Sequence, residues 1–153
     1  MLNKSEILKV AASIEEAGIE FYREAKSKVS EEMKEVFDFL IKEEMKHREL
    51  FEEMLRGTRD FTIAHQLTPE DYDAYVKAIG YSAVFKKEEL ELKMNNAKDI
   101  ITFAIEMEKR SIDYYTFLKK MVSPEDHPLI NQLIKEEQNH YAQLSSVLEK
   151  MNK

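Results

Sequence analysis

At 153 residues with 3 glycines and 3 prolines, the chain is of single-domain length, sufficient for one core of its own, and has little turn material for a many-stranded sheet. A formal charge of −7 argues against nucleic acid or an anionic bilayer as a partner, because phosphates require a basic stripe. The absence of cysteine excludes disulfides, thiolate nucleophiles and cysteine-held clusters, so any metal must be held by carboxylate and imidazole.

Helical periodicity predicts a first helix over 4–28, with Asn3 as N-cap and Glu6 three residues on. Its inward series is Leu8, Ala11, Glu15, Gly18, Tyr22 and Ala25. Ser30 caps a second helix over 31–56 that Gly57 ends, with Met33, Phe37, Leu40, Glu44, His47, Phe51 and Met54 turned inward. Thr58 to Asn95 reads as a crossover with one short helix, capped by Thr68 before Pro69 and closed by Gly80. A connection of that length lets the second and third helices run parallel. Asn96 caps a third helix over 97–121, whose inward series is Ile101, Ala104, Glu108, Ser111, Tyr115 and Leu118. Ser123 and Pro124 open a fourth over 124–150, with Ile130, Leu133, Glu137, His140, Leu144 and Val147 inward. The expectation is all-α: a four-helix bundle in one domain, 1–153, made of hairpin 1–57, crossover 58–95 and hairpin 96–153.

The hairpins are copies. "KEEMKH" at Lys42–His47 returns as "KEEQNH" at Lys135–His140, 93 positions later. The same offset pairs Asn3 with Asn96, Ile7 with Ile100, Ala11 with Ala104, Glu15 with Glu108 and Tyr22 with Tyr115, which marks an internal duplication.

Each of the four apolar seams carries a glutamate at its middle, and two of them add a histidine one turn later. Four buried carboxylates are too costly to leave uncompensated, and their four negative charges balance two divalent cations. Glu and His three apart on a helix stand about 60° apart around the axis, so both can reach one ion. Glu15, Glu44, His47, Glu108, Glu137 and His140 are therefore the expected metal ligands, with Glu44 and Glu137 as bridges. Tyr22 and Tyr115 follow Glu15 and Glu108 by two turns on the same face and are expected to hydrogen-bond ligand carboxylates, a catalytic supporting role. Glu16, Glu43, Glu106 and Glu136 lie off the seams and read as solvated, and His65 and His127 as surface or capping residues.

The sequence resembles the rubrerythrin branch of the ferritin-like superfamily, on "IEEAGIEFY" with "EEMKH" and on "MEKRSIDYY" with "EEQNH". The resemblance implies the same six residues as ligands of two iron ions, Fe2+ or Fe3+, and manganese suits the same donors. It departs from that branch in lacking the rubredoxin-type cysteine-ligated iron domain and in having Ser111 where rubrerythrins carry an extra glutamate. The implied function is a di-iron oxidoreductase of oxidative stress, reducing hydrogen peroxide or dioxygen with an external electron donor. The alternatives are ferrous iron oxidation with iron binding or storage, and a metal-free helical interaction scaffold. No window approaches the roughly 20 uncharged residues of a membrane span, and the N-terminal apolar run is too short for a secretory signal, so a cytoplasmic protein is expected. Its oligomeric state stays open, a homodimer included.

Overall fold

The computed structural model describes residues 4–57, 68–70, 75 and 95–153. The Asn3 cap, His65 and nearly all of the crossover with its expected short helix lie outside the described residues. Among the described residues there are four α-helices: α1 (Lys4–Lys26), α2 (Glu31–Leu55), α3 (Ala97–Met121) and α4 (His127–Met151). None is long and apolar enough to cross a membrane.

Local chemistry sets the helix ends. The Ser30 hydroxyl accepts from the Met33 amide at 3.4 Å, and the Asn96 side chain accepts from the Asp99 amide at 2.9 Å. After α2 the chain turns at Gly57 with φ of +77°, the left-handed conformation that only glycine adopts without a Cβ penalty. The fourth helix begins later than its sequence predicts. A 3-10 turn, Pro124–Asp126, precedes it, because Pro128 has no N–H with which to close an α-type bond to Pro124. Ser123 accordingly donates its hydroxyl to the Asp126 carboxylate at 3.2 Å and caps no backbone amide.

α1 packs along α2 and α3 along α4, and the hairpins meet through α1 and α3. The Tyr114 hydroxyl ties them by donating to the Ile7 carbonyl at 2.7 Å. The core is split in two. One cluster takes Ile7, Leu8, Ala11 and Ile14 from α1 with Tyr114, Tyr115 and Leu118 from α3. The other takes Ile100, Ile101, Ala104 and Met107 from α3 with Phe21, Tyr22 and Ala25 from α1. The 93-residue offset converts each set into the other, so the bundle has an approximate twofold axis that exchanges its two half-cores.

Adjacent residues of α2 test which face is core, since Leu40 is fully buried and Phe39 is 47% exposed. Leu40→Ala is expected to cost about 2–5 kcal/mol in chemical denaturation, from lost transfer energy and a cavity. Phe39→Ala is expected to cost less, about 0.5–1.5 kcal/mol, the scale of one edge-on aromatic contact. Equal losses would refute the face assignment.

Candidate metal centre

Between the half-cores lies a polar layer. Glu15 of α1, Glu44 and His47 of α2, Glu108 of α3, and Glu137 and His140 of α4 are all at most 3% exposed. They form two overlapping groups, Glu15, Glu44, His47 and Glu137 in one and Glu44, Glu108, Glu137 and His140 in the other. Within each group one ligand atom per residue lies within 4.8 Å of the rest. Glu44 and Glu137 belong to both. The two imidazoles stack across the axis with ring centroids 6.4 Å apart.

The donor set suits a pair of hard or borderline cations. Glu15 Oε2, Glu44 Oε1, Glu108 Oε2, both Oε atoms of Glu137, and Nδ1 of His47 and His140 are buried with no hydrogen-bond partner among the described residues. Buried acceptors in this number at one level, without protein donors, form a donor set that divalent cations fit. His47 Nδ1 stands 2.9 Å from Glu137 Oε1 and 3.5 Å from Glu15 Oε1, while His140 Nδ1 stands 3.5 Å from Glu44 Oε1 and 3.6 Å from Glu108 Oε2. Both rings thus turn Nδ1 toward the layer.

The tyrosines reach across the twofold. Tyr22 on α1 donates to Glu108 on α3 at 2.6 Å, and Tyr115 on α3 donates to Glu15 on α1. Each restrains one carboxylate oxygen and leaves the other facing the layer.

A narrow cleft lined by Ile14, Gly18, Met107, Arg110 and Ser111 reaches Glu44 and Glu108, with an enclosed space of about 10 Å³, room for one water-sized molecule. Gly18 and Ser111 are offset partners, and the absence of a side chain at one and the short side chain at the other leave room for the cleft. A Cβ at Gly18 would stand 3.8 Å from the Glu44 carboxyl carbon. The Ser111 hydroxyl bonds back to the Met107 carbonyl at 3.2 Å along its own helix.

Of the residues expected to be solvated, Glu16 pairs with Arg48, Glu43 with Lys46 at 3.2 Å and Glu106 with Arg110 at 3.6 Å. Glu136 departs from expectation. It accepts from His47 Nε2 at 2.5 Å, on the far side of the ring from the layer. No helical period along α4 signals this contact, because the partner sits on α2. His127 is the first residue of α4 and stays apart from the layer.

Burial is the main cause that raises the pKa of Glu15 and Glu137 well above the usual carboxylate range, and neighbouring carboxylate charges add to it. Burial also raises Glu44. For Glu108 burial pushes upward but is overruled by the neighbouring Glu137 carboxyl and the His140 imidazole, which take it down to about 2. For His140 burial pushes downward but the Glu108 and Glu44 carboxylates that face its Nδ1 prevail, taking it up to about 10. With no cation bound, these shifts favour the protonated forms of Glu15 and Glu137 and an ion pair of His140 with Glu108.

A group whose pKa rises on folding stabilises the fold at low pH, and that contribution fades as pH climbs through the folded value. Glu15, Glu44, Glu137 and His140 all act in this sense, whereas the contribution of Glu108 is lost only toward pH 2. The chelator-treated protein is therefore expected to lose stability between pH 6.5 and about 10, the span over which His140 discharges. Each kcal/mol lost lowers Tm by about 2–4 °C in a chain of this size. Saturating divalent metal is expected to remove the decline, because deprotonated ligands bind better. Calorimetric melts across this range check both, and a flat or rising metal-free profile would contradict the charge assignment.

A crystal structure from Thermotoga maritima, described as a candidate ferritin-like diiron-carboxylate protein, superposes with a TM-score of 0.72 at 24% identity, covering 98% of this chain and 97% of that one. At that identity the likeness carries the fold. No curated protein matches the chain. The Rubrerythrin family model matches residues 6–148, a span that holds the whole polar layer and both copies of its motif, and the chain belongs to the rubrerythrin family.

Proposed function

We propose that the chain is a di-iron oxidoreductase that reduces hydrogen peroxide or dioxygen. The observation that carries this reading is the sharing of Glu44 and Glu137 by both groups of ligand atoms. Two shared carboxylates suit a bridged pair of ions, with Glu15 and His47 completing one position and Glu108 and His140 the other. When bound there, two irons would supply two electrons, cycling between Fe2+ and Fe3+, enough to reduce hydrogen peroxide to water or dioxygen to hydrogen peroxide.

The chain's own residues supply the rest. The cleft beside Gly18 and Ser111 leads to Glu44 and Glu108 and is the side from which a small oxidant would approach them. Tyr22 and Tyr115 hold protons at Glu108 and Glu15, at the edge of the polar layer. Apolar half-cores on both sides limit bulk water there. In this reading an electron donor outside the bundle re-reduces the pair.

Anaerobic titration with Fe2+ is expected to saturate near two ions per chain, and stopped-flow mixing with hydrogen peroxide to oxidise both while they stay protein-bound. Glu44→Ala is expected to fall below two ions and to slow peroxide oxidation by at least about a hundredfold, the scale of loss when partners of a metal ligand are removed. Glu43→Ala is expected to match wild type in both measurements. Saturation at one ion or none would refute the paired site, and ferric iron released as a mineral would favour iron handling over peroxide reduction.

Ser111→Glu places a further carboxylate beside the cleft, at the position where the rubrerythrin pattern has one. An added anionic ligand stabilises the higher iron charge, so the variant is expected to raise the peroxide rate relative to the dioxygen rate by about tenfold, equivalent to about 1.4 kcal/mol of barrier. Stopped-flow traces of both proteins with each oxidant measure the ratio. An unchanged ratio would show that this position does not select the oxidant.

A further inference from the structure

The polar layer is nearly symmetric, but the shell behind it is not. Behind His47, Nε2 meets Glu136 Oε2 at 2.5 Å, and Gln132 donates to the other oxygen of that carboxylate at 3.1 Å. The offset counterparts of Glu136 and Gln132 are Glu43 and Phe39. Glu43 is engaged by Lys46 at 3.2 Å, a lysine whose own counterpart is Asn139. Phe39 sets its ring edge-on to His140 with centroids 6.0 Å apart. Among the described residues the carboxylates that reach His140 are those of the layer itself, Glu44, Glu108 and Glu137, all on Nδ1. One imidazole is therefore braced by a carboxylate from behind and the other is covered by an aromatic ring.

We propose that Glu136 is a positioning residue that makes the two metal positions unequal, by holding His47 with its Nε2–H outward and its Nδ1 lone pair in the layer while His140 has no such brace among the described residues. The inference rests on the two-metal reading above. A ring nitrogen that donates to a carboxylate fixes the tautomer and orientation of the imidazole and makes the other nitrogen a stronger electron donor. Gln132 in turn holds the Glu136 carboxylate in place, at the cost of immobilising one surface side chain. The ion at His47 is thereby bound more tightly than the ion at His140.

The test is anaerobic loading with 57Fe2+ alone, read by Mössbauer spectroscopy and by a binding isotherm. Wild type is expected to take up two ions in unequal steps and to show two distinct quadrupole doublets. Glu136→Leu is expected to weaken the tighter step by about 10–100-fold and to move one doublet only, the scale of loss for an outer partner of a metal ligand. Glu136→Gln, isosteric and still able to accept a hydrogen bond, is expected to lose less, and it keeps the question open to measurement if the leucine variant folds poorly. Glu43→Leu is expected to leave both doublets in place. The pair Phe39→Gln and Lys46→Asn gives His140 the same backing and is expected to draw the doublets together. The proposal is overturned if Glu136→Gln and Glu136→Leu leave both steps and both doublets unchanged, if either weakens both steps alike, or if Glu43→Leu reproduces their effect. Fewer than two ions in wild type overturns the two-metal reading and this inference with it, whereas two ions that ignore Glu136 overturn this inference alone.

Discussion

Everything in this bundle is arranged around the burial of four carboxylates and two imidazoles at one level of an otherwise apolar interior. Each ionised carboxylate there would be strongly destabilising by itself, and mutual repulsion compounds the cost. The surrounding chain responds in three ways. Tyr22 and Tyr115 each bond one oxygen, His140 pairs with Glu108, and burial raises the proton affinity of Glu15 and Glu137. Divalent cations would replace this improvised neutrality with a coordinated one.

The layer also governs the packing. Side chains long enough to meet at the axis, Glu and His, stand at the level where an ordinary bundle would place Leu, and large apolar residues fill the space to either side. Phe51 and Tyr115 pack in one half-core, and Phe37 and Tyr22 in the other. The second aromatic of each pair belongs to both worlds, with its ring in the half-core and its hydroxyl in the layer. A change in one half-core is therefore transmitted to the layer through a tyrosine.

Most of the fold was legible in the sequence because its signals are local. Seam periodicity, Ser30, Asn96 and Gly57 marked helices that the structure places within a few residues of expectation. The start of α4 was misplaced because Pro128 acts through a missing amide, which a reading of caps alone overlooks. The six residues of the layer were legible because a charged side chain in an apolar seam is conspicuous, and the structure brings all six together. Glu136 was not, since it lies off the α4 seam and its meaning comes from a helix 89 residues away in sequence. Arg110 and the cleft were missed for the same reason, as side chains of α1, α2 and α3 form its walls jointly.

The exchange of half-cores by the approximate twofold has a consequence for how such a molecule diversifies. Neither hairpin contains a complete half-core, so a single hairpin could bury the same surfaces only as an isologous dimer with identical subunits. In that dimer every substitution appears twice. Joining the hairpins in one chain lifts this restriction, and the structure records the freedom in Gly18 against Ser111, Phe21 against Tyr114 and Phe39 against Gln132. Covalent fusion is what permits broken symmetry around a shared pair of bridging carboxylates, giving each half a chemistry that no homodimer of one hairpin can have.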